Sequence, residues 1–286
     1  MTATADIVSG LHCEQDGDGR YLFPHIPPGE RGVVFGGQLL AQLAVAVARN
    51  DTSGTKSLKS AHGLFARAVL VDEEASVTVD VLHSGRAFAS ASATMWQRGR
   101  ECAKALVLLH ASDSDLIRHA AEAPDVGSPE AAIPWGDPTA GREVRTVDGV
   151  DILDADTTGP AEVQAWVRVP GATDDLTLNQ GLLTHATASF LIGAAMRPHS
   201  GVGQSIAHRD ISTGILGHTI SFHEDVDLRD WILLVNESPY AGRGRSFGRG
   251  QAFTLTGQLV ASFSQEAMIR HFPEGESAVG RESTVF

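Results

Sequence analysis

The chain has 286 residues, a net charge of −13, 42% hydrophobic residues and 20% charged residues. This composition is typical of a globular protein with a sizeable core, and the length fits one large domain or two medium ones. The acidic balance argues against a general nucleic-acid binder, and the absence of an apolar run of about 20 residues argues against a membrane span.

The N-terminal segment lacks the basic and apolar regions of a secretory signal, and Cys13 and Cys102 are the only cysteines. We therefore expect reduced thiols and a cytoplasmic location. A single disulfide between the two cysteines is the alternative.

The first predicted element is a buried helix. Gly36 and Gly37 lead into the run 39–48, which is apolar around nearly its whole circumference. The two glycines allow another backbone to approach closely. Strand-like segments follow, separated by short polar turns, at 61–69, 75–82, 88–97 and 102–110. The pattern predicts a sheet curled around one helix.

The periodicity decays over 112–146, which is rich in acidic residues and prolines and predicts a surface linker with a short helix near 115–123. A clear strand returns at 161–169, and a second buried helix is predicted over 181–196 after an acidic entry. Further strands are predicted at 219–224, 231–238, 245–254 and 259–269. The polar tail 273–286 is expected to fray.

Two stretches about 160 residues apart repeat one pattern of charged lead-in, strand, glycine turn and second strand. The first copy turns at Gly99 and the second at Gly257. Counted from these turns, Gln265 of the second copy corresponds to Val107 of the first. Gln265 lies on an otherwise apolar strand face, so it either belongs to a reaction centre or satisfies a backbone group in the core.

An ordered series of landmarks between residues 35 and 270 resembles the acyl-CoA thioesterase II family (TesB-type). These landmarks are Phe35-Gly36-Gly37-Gln38, Gly85-Arg86-Ala87-Phe88, 161–169 with Trp166, Ser221-Phe222-His223, Arg245-Ser246-Phe247, and Val260-Ala261-Ser262 with Gln265-Glu266. The resemblance implies an α+β double hotdog, in which two antiparallel sheets each wrap around a long buried helix. It also implies hydrolysis of acyl-CoA to a free fatty acid and CoA without a metal or other cofactor, and assembly into homo-oligomers.

The family holds a nucleophilic water with an aspartate, a threonine or serine, and a glutamine. The glutamine corresponds to Gln265, but the aspartate position falls on Ala188 and the threonine or serine position on Ile215. By resemblance, therefore, two of the three catalytic side chains are replaced.

An amide cannot act as a base, so a hydrolase with these replacements needs another proton acceptor. His185 precedes Ala188 by nearly one helical turn, with Thr187 beside it. His185 is either a substitute base or a packed core residue, and His218 and His223 are similarly ambiguous. Gly36 and Gly37, together with Arg86, Arg243 and Arg245, are candidate contacts for the substrate and its phosphates.

Other chemistries lack their signatures. No histidine pair has metal-ligand spacing on one helix, and neither a Gly-x-Ser-x-Gly elbow nor a phosphate loop is present. We therefore expect a first hotdog over 1–112, a linker over 113–146, a second hotdog over 147–272 and a tail over 273–286. The favoured function is an acyl-CoA thioesterase with altered machinery, and the alternative is a non-hydrolytic acyl-CoA binding protein.

Overall fold

The structure, a computed structural model, describes residues 7–23, 32–137 and 141–272, so the predicted tail lies outside the described residues. The first half contains β1 (Glu14–Gln15), β2 (Tyr21–Leu22), α1 (Gly36–Asn50), β3 (Ser57–Phe65), β4 (Ala75–Ser84), β5 (Phe88–Gln97) and β6 (Arg100–His110). The second half contains β7 (Ile133–Pro134), β8 (Glu143–Thr146), β9 (Glu162–Arg168), α2 (Leu176–Thr187), α3 (Leu191–Met196), β10 (Ile211–Phe222), β11 (Ile232–Gly242), β12 (Arg245–Thr254) and β13 (Leu259–His271).

The two halves are copies of one unit, as the internal repeat predicts, and their strand orders mirror each other. The described strands form one antiparallel sheet in the order β1-β2-β4-β5-β6-β3-β10-β13-β12-β11-β9-β8-β7. The halves meet where β3 pairs with β10, for example Gly63 with His218. The fold is therefore a double hotdog, and its two sheets are continuous because their edge strands pair with each other.

Small side chains let the first helix approach its sheet closely. Ala89, Ala91 and Ala93 of β5 are all buried, and α1 is buried along nearly its whole length. No side chain caps the start of α1 at Phe35. Its first turn is therefore placed by packing against the second half rather than by a local capping bond.

A buried amide ties the second helix to the first half. Gln180 of α2 accepts from the Leu58 backbone N–H at 3.1 Å and donates to the Leu58 carbonyl at 2.9 Å. Asp175 caps α2 by accepting from Leu178 N–H, and it also forms an ion pair with Arg49 at the end of α1. These contacts fix the two helices relative to each other, and hence the site between them.

The predicted linker differs in detail from the expectation. No helix forms over 115–123, where Leu116 and Ile117 are strongly exposed. Strands β7 and β8 lie inside the predicted linker and extend the sheet beyond β9. Both cysteines are free thiols. Within the described ranges, no helix is long and apolar enough to cross a membrane.

Candidate functional site

The second predicted helix is interrupted at the site. The apolar pattern predicts one helix over 181–196, but α2 ends at Thr187 and α3 begins at Leu191. The hydroxyl of Thr187 lies 3.0 Å from the carbonyl oxygen of Thr184, which is the kind of local bond that competes with a continuing helix. The interruption leaves Ala188 as the buried residue that follows the last turn of α2.

A buried polar chain runs from this helix end to β13. His218 of β10 places Nδ1 3.1 Å from Oε1 of Gln265 and Nε2 3.0 Å from the hydroxyl of Thr187. We assign the ring proton of His218 to Nδ1, so that Nδ1–H donates to the amide oxygen, and the single hydroxyl proton of Thr187 is shared between Nε2 and the carbonyl oxygen of Thr184. The amide nitrogen of Gln265 is then a buried donor without a partner among the described residues.

This polar chain has no counterpart in the first half. Val107, the residue that corresponds to Gln265, pairs across the sheet with Ala61, whereas Gln265 pairs with His218. Val107 and Ala61 are both buried. The first copy therefore has an apolar pair where the second has a histidine and an amide, so the polar centre belongs to the second copy.

The start of α1 packs directly against both replaced positions. A side-chain carbon added at Gly36 would lie 3.3 Å from Cδ1 of Ile215, and one added at Gly37 would lie 2.9 Å from the Cβ atom of Ala188. The latter carbon would also lie 2.8 Å from the carbonyl oxygen of His185. Glycine is required at position 37 because any side chain would collide there. The positions predicted from the family pattern are thus brought together around the start of one helix.

The first turn of α1 presents unused donors at this point. The backbone N–H groups of Gly36, Gly37 and Gln38 form no hydrogen bond to another described residue. Unpaired N–H groups at a helix start carry partial positive charge and favour an anion. Phe35 and Gly36 are partly exposed, so this end of the site borders the protein surface.

Both site histidines are neutral at neutral pH. Burial, together with the positive charge of Arg142, lowers the pKa of His185 to about 3. Burial lowers the pKa of His218 to about 4, and the bond to Gln265 opposes this shift. His185 packs edge-on against the ring of Phe35, and its Nδ1 has no described partner. His185 therefore keeps a free nitrogen, whereas both nitrogens of His218 are engaged.

The buried histidines predict an acid-sensitive fold. Below pH 6.5 both histidines become protonated in the unfolded chain, but in the folded protein their lowered pKa values keep them neutral. The free energy of unfolding therefore decreases as pH falls from about 6.5 towards 4. The loss reaches up to about 1.4 kcal/mol per pH unit for each histidine. Urea unfolding at pH 7 and pH 5 measures it. His218→Gln should flatten this dependence, and His119→Gln, at an exposed position, should not. An equal change in the free energy of unfolding between pH 7 and pH 5 in all three proteins would contradict a lowered pKa for His218.

The predicted substrate arginines do not lie together. Arg245 precedes Gly248, the β12 partner of Gln265, by three residues, or about 10 Å along the strand. Arg243 is in the adjoining turn with a φ of 55°. Ala93 of β5 lies level with Gln265 across the sheet, four strands away. Arg86 precedes Ala93 by seven residues, or about 23 Å along the chain. Arg86 and the Arg243–Arg245 turn therefore occupy opposite ends of the sheet.

Two site residues were not identified from the sequence. His218 was only one of several ambiguous histidines, because its contact with Thr187 joins two elements 31 residues apart. Arg142 was not singled out, yet its Nη1 donates to the hydroxyl of Ser189, next to Ala188, at 2.8 Å. The other ambiguous histidine, His223, bonds to the hydroxyl of Ser262 instead, away from this centre.

Two family models match the chain. The model described as acyl-CoA thioesterase matches residues 149–268, and the model described as acyl-CoA thioesterase N-terminal domain matches residues 26–110. Between them they cover most of both halves.

Curated proteins and solved structures give the same result. The acyl-CoA thioesterase 2 of Haemophilus influenzae is 28% identical over 83% of this chain and 87% of its own length. The acyl-coenzyme A thioesterase 8 of Mus musculus is 23% identical over 94% of this chain and 90% of its own. The crystal structure of an acyl-CoA thioesterase II TesB2 from Mycobacterium marinum is 25% identical, with a TM-score of 0.78 over 94% of this chain and 100% of that chain.

Proposed function

The chain belongs to the TesB-type acyl-CoA thioesterase II family, and we propose that it hydrolyses acyl-CoA to a free acid and coenzyme A through an altered active site. The observation that carries this proposal is the buried chain Thr187–His218–Gln265, in which Thr187 directly precedes Ala188, the residue that packs against Gly37. A buried polar chain with an unused donor costs stability, so its presence in only one half favours a functional role.

Each part of the site has a role in this proposal. The free amide nitrogen of Gln265 holds the attacking water, and His218 fixes the orientation of the amide. The N–H groups of Gly36 and Gly37 donate to the oxyanion that develops when water adds to the thioester carbonyl. The acyl chain extends beside the buried helices, and the phosphates of CoA lie towards Arg243 and Arg245, the cluster nearer to Gln265.

His185 is the proposed proton acceptor because its Nδ1 is buried and has no described partner. Its lowered pKa makes it a weak base, so slow turnover is expected. His185→Ala should reduce the remaining kcat by about 10- to 100-fold, as measured with saturating acyl-CoA. His119→Gln is the exposed control and should leave kcat unchanged. Unchanged turnover in His185→Ala would eliminate this base.

A second function is supported by the same site. Ala188 and Ile215 are buried and apolar where the family pattern has an acid and a hydroxyl. Without a carboxylate, the protein would bind acyl-CoA and not cleave it.

Release of free thiol separates the two functions. The full chain is mixed with acyl-CoA thioesters of several lengths, and thiol is followed with a chromogenic reagent. Protein alone is subtracted because Cys13 and Cys102 are free. Thiol that grows linearly with time and protein concentration supports the hydrolase. Saturable binding of acyl-CoA with no thiol release supports the binding protein and contradicts the hydrolase.

Several broader features accompany this proposal. A cytoplasmic location, a role in fatty acid metabolism, assembly into homo-oligomers and a connector over 113–146 between two hotdog units are all part of it. Chemistry without a metal or other cofactor is consistent with a reaction that needs only a positioned water, a base and an oxyanion donor.

A further inference from the structure

Arg142 is a partly buried cation without an acidic partner among the described residues. Its side chain donates to the hydroxyl of Ser189, and it forms no ion pair with any described residue. The carboxylate nearest in sequence, Glu143, is already paired with Arg168 at 2.9 Å. Arg249 likewise pairs with Glu237. Arg142 therefore differs from these arginines in having only a neutral partner.

The unpaired charge lies at the reaction centre. Ser189 follows Ala188, where the family pattern has its aspartate, and the charge of Arg142 is near enough to lower the pKa of His185. Burial lowers the pKa of Arg142 itself to about 10, and no carboxylate in the described part of the chain opposes that shift. This site thus has a guanidinium beside the position where its own acid is missing.

We propose that Arg142 binds a carboxylate of the acyl ligand, beside Ala188. A guanidinium offers five N–H donors in a planar fork that fits a carboxylate, and only one is used by a described residue. A desolvated cation without a counter-ion is costly, so an incoming anion gains from being bound there. This inference rests on the proposed function, because it takes the ligand to be an acyl-CoA or its product.

The carboxylate has two possible sources. It is either the far end of a dicarboxylic acyl group, which makes the protein selective for such thioesters, or the acid released by hydrolysis, which makes Arg142 a site of product inhibition. In both cases the ligand atoms that meet the guanidinium are the same.

Titration calorimetry at pH 7.5 with the full chain tests the proposal. Three ligands are compared: a CoA thioether with a methyl-ended six-carbon chain, the same thioether ending in a carboxylate, and free hexanoate. Arg142→Gln should weaken the binding of the carboxylate-ended thioether or of hexanoate by about 10- to 100-fold, and it should leave the affinity for the methyl-ended thioether unchanged. Reduced affinity for the carboxylate-ended thioether identifies a dicarboxylic substrate as the ligand. Reduced affinity for hexanoate alone identifies the product acid as the ligand.

The matched control is Arg145→Gln, three residues further along. Arg145 donates to the carbonyl of Pro129 and packs over Trp231, away from Ala188, so its loss should change none of the three affinities. If Arg142→Gln does not fold, Ala188→Asp serves instead, because a carboxylate placed beside Arg142 should compete with both acids.

The outcomes are separable. Equal affinities in the parent and Arg142→Gln, or an equal loss for all three ligands, would overturn the proposal and indicate that Arg142 only stabilises the end of α2. None of these ligands is hydrolysed. A protein that releases no thiol but binds carboxylates through Arg142 therefore contradicts the hydrolase and keeps this inference.

Discussion

Gln265→Ala should lower kcat for acyl-CoA hydrolysis by about 100- to 1000-fold with a small change in KM. The amide of Gln265 is buried, bonded to His218 on one side and free on the other. A group that touches only the attacking water contributes to the transition state and little to ground-state binding of the substrate. Initial rates of thiol release over a range of acyl-CoA concentrations give both constants.

The matched control for Gln265→Ala lies in the other half of the same fold. Val107→Ala removes a buried side chain from the corresponding strand position and should cost about 1–2 kcal/mol of stability. It should leave kcat unchanged, because its neighbour Ala61 offers no polar group. If both variants lose turnover in proportion to their loss of stability, Gln265 is only a structural residue.

Local sequence signals predicted most strands well. Segments 88–97 and 245–254 have the predicted bounds because glycine-containing turns punctuate them on both sides, at Gly99 and Gly257 among others. The repeat predicted two copies of one unit and the difference between Val107 and Gln265. These features depend on neighbouring residues, and a single sequence contains that information.

The parts that sequence reasoning missed are those decided by distant contacts. Strand β10 was predicted to start at 219 but begins at Ile211, because Gly214 and Gly217 weaken the local strand signal while pairing with β13 sustains the strand. A register shift between Ile215 and Gly217 sits within this segment. The missed part of β10, residues 211–218, contains both Ile215 and His218, so the predicted site lacked its central histidine.

The helix interruption has a similar cause. The run 181–196 is apolar throughout, and nothing in its periodicity marks an end at Thr187. Besides the local bond between Thr187 and Thr184, two tertiary contacts hold this end: Arg142 bonds to Ser189, and His218 bonds to Thr187. Tertiary contacts of this kind override local propensity. Both residues come from other strands or loops, so they could be assigned only once the halves were assembled.

Ala188→Asp should raise kcat by about 100- to 10,000-fold by supplying the missing general base. The new carboxylate would lie next to Thr187 and near Arg142, whose positive charge keeps it ionised. A negative charge at the end of α2 costs about 0.3–1 kcal/mol through the helix dipole, and pairing with Arg142 offsets this cost. Adding Ile215→Thr would restore the hydroxyl position beside Gly36 and should increase kcat further.

Ala188→Asn has the same shape as the aspartate variant but cannot accept a proton, so it separates basicity from packing. A gain in Ala188→Asp with none in Ala188→Asn means that the parent site lacks only a base, and that Gln265 and the start of α1 are already placed for hydrolysis. Equal gains would assign the effect to water positioning. If neither variant exceeds the parent while both keep its melting temperature, Ala188 is not the aspartate position.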